Sequence, residues 1–214
     1  MKLGKRSRQG GFSMVELTIV TAIILTVSAT ALPSIVQSMY NVKLRSSASS
    51  LAGLMQSARM QAIRDNRYYF VCYAAVNGTM RAWVSRDNAC TASTELASGK
   101  TPQQIQLGGN VQIVTSGMPG GLNTGFPLPS GTLATAKPAF NARGLPCYRG
   151  TTGRCDTIGS SSSGIGFGVG QVVSYTVYMT DTRPMGQNGW AAVSVSPAGR
   201  TQVWVYGGGT SWGR

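Results

Sequence analysis

Residues 12–32 form a largely apolar run of 21 residues that contains one ionisable side chain, Glu16. An α-helix rises about 1.5 Å per residue and crosses a bilayer core in roughly 20 residues, so this stretch is long enough to span a membrane. Lys2, Lys5, Arg6 and Arg8 precede it, with no acid among them. Cationic flanks stay on the cytoplasmic side, which puts the leader, residues 1–11, inside and the rest of the chain outside. Glu16 breaks the pattern. A charged group at the centre of a membrane costs about 2.5–3.5 kcal/mol on insertion scales, less near an end, and in either place it needs a partner. Cleavage between Gly11 and Phe12 would supply one, a cationic amine on Phe12.

The segment Gly10-Gly11-Phe12-Ser13-Met14-Val15-Glu16-Leu17 resembles the prepilin peptidase site of type IV pilins and type II secretion pseudopilins. That resemblance implies cleavage between Gly11 and Phe12, N-methylation of Phe12, and pairing of Glu16 with the N-terminal amine of a neighbouring subunit during fibre assembly. It also implies a helix kink at Pro33. The partners it implies are prepilin peptidase, the inner membrane, and other pilins or pseudopilins bound through the N-terminal helix. Before assembly the chain would cross the inner membrane once, with its C-terminal domain in the periplasm; afterwards it would sit in a pilus or pseudopilus. A secretory signal peptide cut after Ala29-Thr30-Ala31 would leave the Gly-Phe junction and the acid unexplained, and a plain membrane anchor would leave Glu16 unexplained.

At 214 residues the chain has room for one soluble domain behind this appendage. Beyond Pro33, apolar residues recur at three- and four-residue steps: Ile35, Met39, Val42, Leu51, Leu54, Met55, Ala58, Ala62 and Ile63. The spacing predicts a helix continuing to about Asp65, with Leu51, Leu54, Met55, Ala58 and Ala62 packed on a sheet. From Arg67 the pattern changes to short β-type runs at 68–76, 81–85, 104–107, 111–115, 172–179, 190–196 and 201–206. Asn77-Gly78, Asn188-Gly189 and Pro197-Ala198-Gly199 supply turns, and such tight connections argue against βαβ units. Gly-, Pro- and Ser-rich stretches at 117–131 and 159–170 read as loops. The expected fold is α+β: leader 1–11, helix 12–66, and an antiparallel β-rich domain 67–214.

Pro138-Ala139-Phe140-Asn141-Ala142-Arg143-Gly144, followed later by Val193-Ser194-Val195-Ser196-Pro197-Ala198-Gly199-Arg200, is similar to the GspH/FimT group of minor pilins and pseudopilins. In that group a Phe-x-x-x-Gly turn precedes hairpins that end in a Gly-Arg turn. The likeness covers both ends of the chain and not residues 89–133. It implies a minor type IV pilin, a structural subunit for pilus assembly, located on the pilus or at its tip, with adhesion or DNA capture as a further role. An H-type pseudopilin of type II secretion is the alternative.

Four cysteines, Cys72, Cys90, Cys147 and Cys155, with no histidine and no C-x-x-C pair, favour disulfides in an oxidising compartment over a zinc site. Three pairings are open, and short separations favour Cys72 with Cys90 and Cys147 with Cys155. Without histidine, and with few, scattered carboxylates, no catalytic constellation is apparent, and neither cofactor nor metal is expected. The glycine-rich 164–170 segment lacks the Gly-Lys-Ser/Thr of a phosphate loop.

The charge is lopsided, 19 Lys+Arg against 6 Asp+Glu, and without the four leader cations the net side-chain charge of +13 is still +9. Arg143, Arg149, Arg154, Arg183, Arg200 and Arg214 lie in or beside expected loops, where convergence would make a salt-sensitive phosphate-contacting patch for DNA. FimT-like proteins carry a Gly-Arg-x-Arg motif for this purpose. Arg200 matches its first arginine, whereas Gln202 stands at the second. A solvated basic surface, or contacts with neighbouring subunits, would use the same residues.

Overall fold

The computed structural model describes residues 13–86, 90–96, 103–124, 137–149, 155–157, 172–183, 189–207 and 211–213. Helix α1, Met14–Arg64, is continuous over 51 residues. The chain divides after Met39 into two compact units. In the first, the large apolar side chains from Met14 to Met39 that are described, Leu17, Ile23, Leu25 and Leu32 among them, are exposed on every side of the helix. A helix apolar all round needs a lipid or protein environment, and this one is long and apolar enough to cross a membrane.

The second unit, Tyr40–Arg214, comprises the rest of α1 and two antiparallel sheets. After α1 come β1 (Tyr69–Val76), β2 (Thr79–Ser85), a one-turn helix α2 (Ala92–Glu95), β3 (Gln104–Gln106), β4 (Val111–Val114), β5 (Ala139–Phe140), β6 (Pro146–Arg149), β7 (Cys155–Asp156), β8 (Tyr175–Asp181), β9 (Gly189–Val195), β10 (Thr201–Gly207) and β11 (Ser211–Gly213). One sheet has the order β3-β2-β1-β5-β6-β7 and the other β11-β10-β9-β8-β4. Adjacent strands in both are antiparallel.

The helical stripe expected from the sequence is the spine of the core. Leu44, Ala48, Leu51, Leu54, Met55, Ala58 and Ala62 are buried against Tyr69 and Val71 of β1, Val84 of β2, Phe140, and Tyr175, Val177, Met179, Val193 and Val195 of the second sheet. Each large side chain so buried stabilises the fold by about 1.5–3 kcal/mol. The period of two along β1 sends Tyr69 and Val71 to the helix and Phe70 and Cys72 to the opposite face, where they join Trp83, Cys90, Ala139 and Cys147 in a second cluster. The outer face of the other sheet carries Tyr178, Ala192 and Trp204, with Trp212 against them. Packing is thus the role of most aromatics among the described residues.

The favoured disulfides are both formed. Cys72–Cys90 has Cα atoms 5.5 Å apart and Cys147–Cys155 5.1 Å. Asn77 and Gly78 both take positive φ, 51° and 76°, in the two-residue turn that joins β1 to β2.

The sequence pattern implied one sheet, and there are two. β5, β6, β7 and β11 were not anticipated, being two to four residues long and too short to show a period. The 172–179 run begins its strand three residues late, at Tyr175, because β8 is buried at all seven positions and shows no alternation to fix its ends. The described part of the 117–131 loop, up to residue 124, contains neither helix nor strand; 125–131, 159–170 and Asn188 lie outside the described residues.

Candidate functional site

Two regions carry the residues singled out from the sequence. The first is the apolar half of α1. Four of its hydroxyls are satisfied within the helix: Thr18 donates to the Val15 carbonyl (2.8 Å), Thr21 to Thr18 (3.0 Å), Thr26 to Ile23 (2.9 Å) and Ser34 to Ala31 (2.8 Å). Such back-bonding leaves little polar capacity facing outward, which suits a hydrocarbon environment. Glu16 has no counterpart of this kind. Its side chain is exposed in the first turn of α1, where a carboxylate complements the helix dipole, and it has no hydrogen bond or ion pair among the described residues. Pro33 falls within α1, its side chain outside the description, and Gly11 and Phe12 lie outside it altogether.

The second region surrounds the C-terminal turns of α1. Here the two short motifs noted in the sequence adopt the same turn. Asn141 N–H donates to the Leu145 carbonyl (3.0 Å), Gly144 N–H to the Asn141 carbonyl (2.8 Å), and Leu145 N–H to Asn141 Oδ1 (3.0 Å). Ser196 N–H donates to the Arg200 carbonyl (2.9 Å), Gly199 N–H to the Ser196 carbonyl (2.7 Å), and Arg200 N–H to Ser196 Oγ (3.1 Å). The fourth residue of each turn has a left-handed backbone, Gly144 at φ 73° and Gly199 at φ 78°, which glycine adopts without strain.

The twin turns touch. A Cβ on Gly199 would lie 2.5 Å from the Gly144 carbonyl oxygen, and one on Gly144 would lie 2.7 Å from Ile63 Cδ1. Arg59 is wedged beside both glycines and donates from its guanidinium to the Gly199 carbonyl at 3.0 Å, while its Nε is buried with no partner among the described residues. Gln56, one turn earlier, donates to Thr201 Oγ1 at 2.7 Å. Gln56, Arg59 and Ile63 therefore form one helical stripe holding both turns.

This contact brings Arg143 and Arg200, both exposed, onto neighbouring turns. The helix end adds further cations. Asn66, at φ 50°, ends α1: Arg67 N–H donates to the Ala62 carbonyl and Asn66 N–H to the Ile63 carbonyl, a Schellman arrangement. Asp65 accepts from Tyr69 Oη, from Arg64 Nε at 3.0 Å and from Arg86 at 3.2 Å, and Arg86 also stacks over the Tyr69 ring. The Tyr69 hydrogen bond, then Arg64, holds the Asp65 carboxyl below its ordinary range, and the Tyr69 hydroxyl holds Arg86 above its own. Arg64 and Arg86 keep side-chain exposures of 77% and 65%.

Arg183 is placed differently. Its Nε donates to Asp181 at 3.0 Å and its terminal nitrogen to Asn41 Oδ1 at 2.8 Å, and its side chain is only 13% exposed. It clamps the end of β8 to α1 and offers no outward guanidinium. The Arg149 side chain, Arg154 and Arg214 lie outside the described residues. Of the six arginines named from sequence, Arg143 and Arg200 are those the structure brings together. Arg59 was missed: on a helix, with no neighbour in sequence to mark it, nothing distinguished it from a solvated arginine.

No grouping of His, Cys, Asp or Glu suited to a metal ion occurs among the described residues. The chain matches no protein-family model, no curated protein and no solved structure.

Proposed function

We propose that the chain is a type IV pilin-like minor subunit, made as a precursor, cut between Gly11 and Phe12, and assembled through its N-terminal helix. The observation that carries this reading is the apolar half of α1, exposed on all sides with its described threonine hydroxyls bonded within the helix, in which Glu16 is the one ionisable group and has no partner among the described residues. A carboxylate in that setting needs a cation from outside its own helix, and the Phe12 amine of a neighbouring copy has the right charge and depth. The inner membrane before assembly, the periplasm for the second unit, and a pilus or type II secretion pseudopilus afterwards complete the reading. Glu16→Ala is expected to be processed normally yet recovered poorly in sheared fibres, whereas Gly11→Ala should accumulate as uncleaved precursor. Normal fibre incorporation of Glu16→Ala would overturn the pairing role.

A second role, capture of DNA by its phosphates, is favoured by the twin turns, which touch and so carry the exposed Arg143 and Arg200 on neighbouring loops. Neutralising Z phosphates gives a salt slope of about −0.9Z in log K against log salt, so Arg143→Ala/Arg200→Ala should flatten the slope by roughly 1.8. Duplex DNA binding by the detergent-solubilised full chain, titrated at several salt concentrations, tests this; an unchanged slope would assign those arginines to contacts between subunits.

A further inference from the structure

A cleft of about 90 Å³ lies at the start of the second unit, lined by Tyr40, Lys43, the Gly108-Gly109-Asn110-Val111 turn and Asp181. Asp181 does not set its sign. That carboxylate is 2% exposed, accepts from Arg183 Nε at both oxygens, and accepts the Gly189 N–H at 2.6 Å. With the Asp181 and Arg183 charges offsetting, Lys43 is left to make the cleft cationic. Neither the Lys43 ammonium nor the Tyr40 hydroxyl has a hydrogen-bond or ion-pair partner among the described residues.

The turn is held from its outer ends: Val111 N–H donates to the Gly108 carbonyl at 2.8 Å and Gly108 N–H to Ser47 Oγ at 3.0 Å. Asn110 is fixed as well, its carbonyl accepting from Thr182 N–H at 3.2 Å. A Cβ on Gly109 would meet nothing within 4 Å, so a ligand can approach the backbone there. The donors are one ammonium and one phenol, and the space holds several water-sized groups. A tetrahedral oxyanion fits this better than a peptide does.

Position along α1 selects the source of that oxyanion. The exposed large apolar side chains of the first part of α1 run from Met14 to Val42, and Tyr40 and Lys43 stand at the C-terminal end of that run. A membrane-crossing helix leaves the hydrocarbon at the end of such a run, and tyrosine and lysine are the favoured anchors in the headgroup layer there. We propose that the cleft beside Tyr40 and Lys43 receives the phosphate of an anionic phospholipid headgroup, tethering the second unit to the membrane surface while the chain is still in the bilayer. This rests on membrane insertion of α1 and not on fibre assembly.

The test uses the full chain. Flotation with phosphatidylcholine vesicles first establishes insertion; failure to float would overturn the membrane reading itself. Native mass spectrometry then compares retention of phosphatidylglycerol and phosphatidylcholine of equal acyl length. One cation near an anionic surface contributes about fivefold, so the wild type should retain phosphatidylglycerol about fivefold more tightly. Lys43→Ala should abolish that preference, Lys43→Arg should keep it, and Arg67→Ala, an exposed cation elsewhere, should leave it unchanged. Flotation without a preference, or a preference that survives Lys43→Ala, would overturn the headgroup site. Saturable binding of inorganic phosphate with no lipid preference would also overturn it, assigning the cleft to a soluble ion.

Discussion

The contact between the twin turns gives a quantitative comparison of two glycines. Gly78 and Gly199 have nearly the same backbone, φ 76° and φ 78°, so an alanine at either meets the same left-handed penalty, about 1 kcal/mol. Their surroundings differ. A Cβ on Gly78 meets nothing within 4 Å, whereas one on Gly199 meets the Gly144 carbonyl oxygen at 2.5 Å and Arg59 Nε at 3.0 Å. The first of these is backbone within a hydrogen-bonded turn and cannot swing aside, so the turns must separate. Separation stretches the Arg59 bond to the Gly199 carbonyl, and a hydrogen bond to a charged group contributes about 1.5–3 kcal/mol. Gly199→Ala should therefore destabilise by about 2.5–4 kcal/mol and Gly78→Ala by about 1 kcal/mol, or roughly 10 °C against 3 °C in Tm for a unit of this size. Thermal unfolding of the oxidised full chain in detergent, followed by tryptophan fluorescence from buried Trp83 and Trp204, measures both. Equal losses at the two positions would refute the claim that the turns bear on one another.

Asp181→Ala strands the Arg183 guanidinium and the Gly189 N–H in a site where the side chains are 2% and 13% exposed, and such removals cost about 3–5 kcal/mol; Asp181→Asn, which keeps an acceptor, should cost less in the same denaturation assay. Burial pushes the Tyr73 hydroxyl up to about 12 from an ordinary 10.0, so the fold favours the neutral phenol and that stability, intact below pH 10, is lost as pH rises toward 12. Tyr73→Phe should flatten the fall in Tm over that window, and an unchanged alkaline profile would count against a buried phenol. Replacing Cys72 and Cys90 together with alanine removes a crosslink spanning 18 residues, for which loop-closure entropy gives about 3 kcal/mol; a stability equal to that of the oxidised wild type would show that the bridge constrains nothing in the unfolded chain.

The helix and its buried stripe were legible because Leu51, Leu54, Met55, Ala58 and Ala62 repeat with the helical period, and one period has one physical meaning. Strands that alternate, or that end at Asn-Gly or Pro-Ala-Gly, were legible for the same reason. The division into two sheets was not, because it depends on which strands pair, and β5 at two residues and β6 at four carry no period to read. Cysteine separation, a local quantity, pointed to both disulfides. Arg183 read as a loop arginine and proved to be turned inward, since its partner Asn41 comes from a helix 142 residues away in sequence and the burial of its partner Asp181 depends on strand pairing that sequence does not display.

The same limit explains why two weak motifs mean more together than apart. Phe140-x-x-x-Gly144 and Gly199-Arg200 are each short enough to arise by chance, and nothing local connects segments 55 residues apart. In the fold they are copies of one turn, each with a side-chain oxygen closing it and a left-handed glycine in its fourth place, pressed together by Arg59 from a third segment. Glycine is needed in both turns for backbone conformation and again for closeness of approach, so neither position tolerates a side chain for two separate reasons. The exposed arginines beside them gain a fixed spacing that flexible loops would not give, and a fixed spacing matters only to a partner that presents a repeated charge. Loosening the turns through Gly199→Ala while leaving Arg143 and Arg200 in place should therefore weaken DNA binding with little change in its salt slope, because the charges remain and their alignment does not. A loss of slope equal to that of the double arginine variant would mean that the turns unfold, and undiminished binding would mean that charge alone suffices.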